Sequence, residues 1–190
     1  MSTESISTVA GPAGIGALCL LGVFLFLDGR APSLFPTVET YAKTATWGVV
    51  AAVPVLVMAY VAGLCISAAG VYIVQYFTGH SFAQEATDIA KVASISGDKS
   101  AAIQIYSQLL QDRAVFAGCT IAFVILSVGA VSEIGNLPHL KSAIITMAIA
   151  VLLLGALMFW FAERKGAEAH MLATKVALAA AENKSKVSEK

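Results

Sequence analysis

Residues 114–132 read AVFAGCTIAFVILSVGAVS and residues 142–162 read SAIITMAIAVLLLGALMFWFA, with only EIGNLPHLK between them. Neither run contains Asp, Glu, Lys or Arg, and each is close to the roughly 20 apolar residues that a helix needs to cross a bilayer. The Gly135-Asn136-Leu137-Pro138 connection allows only a tight return, so the two runs are expected to be antiparallel neighbours.

Working outward, residues 5–27 and 44–84 are also free of Asp, Glu, Lys and Arg. Over all 190 residues, 58% are hydrophobic and 13% charged. Ordinary soluble domains hold roughly 45–50% apolar and about 25% charged residues, so this excess has no soluble core large enough to hide it. The expected fold class is all-α, a polytopic membrane protein. It forms one membrane domain over 1–190, with spans at about 9–27, 45–77, 114–132 and 142–162.

The second run, as a straight helix over 44–79, measures about 54 Å against a hydrocarbon core of about 30 Å. It must tilt, kink at Pro54 or emerge into water. Before it, Pro32, Pro36 and an amphipathic piece over 37–43 suit the interface, with Tyr41 and Trp47 as an aromatic belt. Residues 1–8 hold Glu4 and no basic residue, unlike a secretory leader, so the first span is expected to be retained.

Residues 80–113 change character. Ser81-Phe82-Ala83-Gln84 has the spacing of a capping box, and Phe82, Ala86, Ile89, Ala90 and Ala93 recur at helical spacing up to Ser96-Gly97-Asp98. Ile103, Tyr106, Leu109 and Leu110 form a second stripe with no break before Gly118. The segment is expected to be a cytoplasmic helical hairpin, a stalk continuous with the second and third spans. The tail, 163–190, carries Leu172, Val176 and Ala179 on one stripe, is expected to fray near Asn183, and could pack on the hairpin. With the N-terminus inside, nine Lys and Arg lie on the inner side (Lys91, Lys99, Arg113 and six in the tail), against Arg30, Lys43 and Lys141 outside. The positive-inside rule then places both termini in the cytoplasm.

At 100° per residue, Gly48, Ala52, Ala59, Gly63 and Gly70 fall on one arc of the second span, a ladder that lets another helix come close, either one of the same chain or one of a partner. Gly118, Ala122 and Gly129 make a similar face on the third span. Nearly opposite them, at seven-residue intervals, stand Arg113, Thr120 and Ser127. Hydroxyls there either bond back to the carbonyl four residues earlier or line an oligomeric pore.

Catalytic, cofactor and metal sites are not expected. No ionisable residue sits near the middle of a span, and His80, His139 and His170 fall in loops or tails. His-Glu-x-x-His, Gly-x-Ser-x-Gly, Cys-x-x-Cys and Gly-x-x-x-x-Gly-Lys-Ser/Thr are all absent, while Cys19, Cys65 and Cys119 lie in apolar runs as small buried hydrophobes. The chain is electrically neutral, with no basic face for nucleic acid. Asp28 and Glu133 end the first and third spans on one side, with Glu39 close to Asp28 in sequence, as candidate outer-face acids.

The expected partners are the lipid bilayer and either a second copy or another membrane protein. By subtraction, the leading expectation is a non-enzymatic subunit that assembles through its small-residue faces and stalk. Behind it stand a homo-oligomeric channel lined by the third span and, third, a membrane enzyme using Asp28, Glu39, Glu133 and His139.

Overall fold

The structure is a computed structural model that describes residues 3–30, 45–79, 87, 88, 90, 92 and 99–188, among which there is no strand. Four helices carry the chain: α1 (Thr3–Arg30), α2 (Ala45–Thr78), α3 (Lys99–Ser132) and α4 (Lys141–Ser188). Each is long and apolar enough to cross a membrane. The amphipathic piece at 37–43 with Glu39, the capping box at 81–84, Phe82, Ala86, Ile89, Ala93 and the break at 96–98 lie outside the described residues.

The return between α3 and α4 is made by two short 3-10 turns, Glu133–Gly135 and Pro138–Leu140. The Glu133 carbonyl accepts from the amides of Asn136 (3.0 Å) and Leu137 (3.1 Å), and the Leu137 carbonyl from Leu140 (3.0 Å). Pro138 opens the second turn, where it need not donate.

The other three helices all pack against α3. An added Cβ at Gly16 would run into the Ala59 carbonyl, and one at Gly63 into the Pro12 carbonyl, so α1 and α2 are antiparallel with their backbones nearly touching. Gly11 lies beside Val115, Gly22 beside Leu126 and Gly29 beside Ser132, which makes α1 and α3 parallel. Gly70 abuts Ala117, and Gly118 abuts Ser67, in an antiparallel α2–α3 contact. α4 packs along α3 and meets α2 mainly near Phe77 and Phe159, whose ring centroids are 6.4 Å apart.

The core is accordingly built of small side chains. Ala117, Ala122, Ala162 and Ala173 are fully buried, whereas Val53, Leu56, Met58, Met147 and Leu153 point outward. Lipid tails are as apolar as leucine, so a membrane bundle gains nothing by hiding such side chains and gains van der Waals contact by placing small residues where backbones cross.

Beyond the apolar runs, α3 and α4 continue together as a stalk. Tyr106 packs with Ala169 and Ala173 and with Val92 from the 87–92 segment, flanked by Leu109, Leu110, Leu172 and Val176. The tail therefore does pack on this segment. Two expectations are corrected: Ala90 is exposed, while Asp88 and Val92 are the buried positions, and α4 runs unbroken past Asn183 to Ser188. Residues rich in Ala, Glu and Lys sustain a helix that has no Pro or Gly to stop it after Gly166.

Gly63→Ala should lower stability by about 1–3 kcal/mol, because the new methyl must push α1 off α2. Gly14, with nothing within 4 Å of an added Cβ, is the matched control: Gly14→Ala should shift stability by less than about 0.5 kcal/mol. Unfolding of the purified protein in mixed detergent micelles reads both.

Candidate functional site

The small-residue positions on α2 and α3 are turned toward other helices of the same chain. Ala59 is buried against α1, Gly63 meets Pro12, and Gly70 meets Ala117. On α3, Gly118 meets Ser67 and Ile15, Ala122 packs with Ile15 and Cys19, and Gly129 meets Gly22. Ala52 is exposed, and the surroundings of Gly48 lie outside what is described. These faces, which the sequence left open to a helix of the same chain or of a partner, are occupied within the chain at Ala59, Gly63, Gly70, Gly118, Ala122 and Gly129. That follows from α3 being flanked by α1 and α2 on the side that carries Gly118, Ala122 and Gly129.

The opposite side of α3 faces α4, and of the two readings open for its hydroxyls the structure shows the bond back to the carbonyl four residues earlier. Ser127 is 2% exposed, and its hydroxyl donates to the Phe123 carbonyl at 2.8 Å and lies 3.3 Å from the Ala148 carbonyl of α4. Thr120 donates to the Phe116 carbonyl at 3.1 Å, four residues back. Arg113 is 5% exposed and lies over Gly166, whose added Cβ would stand 3.1 Å from the Arg113 Nε. A lumen lined by this face would require α4 to leave α3.

At the turn end, Ser132 bonds to the carbonyls of Gly129 (2.6 Å) and Leu25 (3.2 Å), joining α3 to α1. This places the helix ends that carry Asp28 and Glu133 side by side. Glu133 is 9% exposed: its Oε2 accepts from Asn136 Nδ2 at 3.1 Å, and its Oε1 is buried without a partner. His139 is exposed in the second turn. Among the described residues no three His, Cys, Asp or Glu side chains are grouped to hold a metal.

The stalk end holds the polar features that the sequence did not reveal. Arg113 borders a cleft of about 60 Å³ lined also by Thr78, Glu163, Gly166 and Ala167. One turn before Thr78 on α2, Gln75 is 4% exposed, and both of its amide atoms lack a partner. Further along the stalk, His170 Nδ1 lies 2.6 Å from Oδ2 of Asp88, whose side chain is 3% exposed. Lys165 at 2.9 Å, together with Arg164, holds the Glu168 carboxyl below the usual carboxylate range. The 82-residue separation of Asp88 from His170 leaves no local spacing to find.

No family model, curated protein or solved structure matches the chain. Its class therefore rests on its own helices: four apolar helices of spanning length, which point to a multi-pass membrane protein.

Asp88→Ala should cost about 1–3 kcal/mol by removing a buried hydrogen-bond partner of His170. The loss should be local. Hydrogen exchange should quicken in peptides covering 104–112 and 168–178, and stay unchanged in those covering 115–130.

Proposed function

We propose that this chain is a non-enzymatic integral membrane subunit that assembles with itself or with a larger membrane complex, through its stalk rather than through its glycine faces. One observation carries the reading. The stalk keeps Ile103, Ile105, Met171 and Leu178 at 42%, 50%, 54% and 66% exposure. Lys99, Asp112, Glu163, Arg164, Glu168 and Lys175 lie along the same stretch, which places it beyond the hydrocarbon. In the bilayer such side chains would simply meet lipid, but in water an apolar set of this kind marks a contact surface. Met171 and Leu178 are seven residues apart, so they share one face of α4.

The native mass of the full-length protein in mild detergent tests this reading. The expected result is a defined assembly, of identical copies or with a stoichiometric second chain, that Met171→Glu with Leu178→Glu dissociates while helical circular dichroism is unchanged. A wild-type protein that remains a lone monomer across detergents overturns it.

The same reading places both termini and the stalk in the cytoplasm, supported by the nine-to-three distribution of Lys and Arg. A fluorescent protein fused after Lys190 should fluoresce, and alkaline phosphatase fused at Asn136 should be active. The reverse pattern would invert the orientation.

A further inference from the structure

We propose that the cleft between α2, α3 and α4 at the stalk end holds the headgroup of a phospholipid bearing both a phosphate and a primary ammonium, of the phosphoethanolamine type. The inference is independent of the assembly reading and rests on four observations.

The first is depth. Arg113 is the last charged residue before the apolar run of α3, and Glu163 is the first after that of α4. The cleft they line is therefore at the boundary between hydrocarbon and water. Tyr72, Tyr76, Phe77 and Trp160 surround this level at 61%, 80%, 73% and 51% exposure, as an interfacial aromatic belt does. The Arg164 guanidinium lies 5.7 Å from the Trp160 ring centroid at the same height.

The second is space. The cleft measures about 60 Å³. That exceeds the roughly 10–15 Å³ that one water needs, so it admits a compact polar group and not an acyl chain. Its floor exists because residue 166 is glycine: a Cβ there would come within 3.2 Å of the Arg113 Cζ.

The third is donor chemistry. Arg113 brings a buried guanidinium with a fixed fork of N–H groups, the geometry that matches phosphate oxygens.

The fourth is the opposing charge. Glu163 lines the same cleft, which disfavours an anionic headgroup and favours one with a cation next to its phosphate. A primary ammonium donates hydrogen bonds to that carboxylate. The trimethylammonium of a choline headgroup has no N–H to donate and is bulkier.

The test is native mass spectrometry of the full-length protein, delipidated in detergent and then supplied with phosphatidylethanolamine, phosphatidylcholine or phosphatidylglycerol of matched chains. Phosphatidylethanolamine should leave a bound adduct at least tenfold more abundant than the other two at equal activation energy. Ala167→Phe fills the cleft from an exposed position and should abolish the preference without loss of helical content. Glu163→Gln should bring the three lipids within about twofold of one another. Equal retention of all three lipids by the wild type, or an undiminished preference in Ala167→Phe, overturns the proposal. Stabilisation by inorganic phosphate alone, with nothing added by any lipid, also overturns it and assigns the cleft to a soluble phosphate compound.

Discussion

Everything in the bundle depends on how closely α1 approaches α2 and α3. Within a bilayer, association removes no apolar surface from water, so the attraction between helices comes from contact itself. Contact is densest where backbones touch, and Gly16, Gly63, Gly22 and Gly129 bring them together. The crossings of α1 with α2 and of α1 with α3 then make a three-helix unit in which α3 also touches α2 and leaves its other side to α4. α4, which carries its large side chains outward, is held to α3 by a different means: the hydroxyl of Ser127, the guanidinium of Arg113 over Gly166 and the alanines of the stalk.

This division explains what could be read from the sequence. The spans were legible because the bilayer forbids charge over a length fixed by its thickness, and residues 114–132 and 142–162 show that length directly. The glycine faces were legible too, because a small residue repeated along one arc has few reasons other than close approach. Their partner was not. Gly63 and Gly129 carry no mark that distinguishes a helix of the same chain from one of another.

The polar face of α3 posed the same choice. Arg113, Thr120 and Ser127 repeat every seven residues, which fixes a direction on the helix but not what stands there. The apolar surface of α4 gave no reason to expect hydrogen bonding, since the acceptor for Ser127 is a backbone carbonyl, and every residue has one. The stalk was misread at Ala90 for a related reason. Periodicity counts apolar positions, so a buried Asp88 looks like a surface residue until His170 is placed opposite it, from a part of the chain that no local window includes.

α4 also sets the scale of the molecule. Its 48 residues make a helix about 72 Å long, against about 30 Å of hydrocarbon, so more than half of it stands outside the apolar layer. A helix extending that far into water is stable only if its apolar stripe is covered, and propensity alone does not hold it. Ala169 and Ala173 are covered by Tyr106 and Val92, and Asp88 fixes His170 on the adjoining turn. Gly166 lies four residues before His170, so the cleft over Arg113 and the hydrogen bond to Asp88 fall on the same side of one continuous helix. The packing that seats Arg113 is therefore the start of the packing that holds the stalk, and the boundary between bilayer and water runs through a single uninterrupted α3–α4 interface.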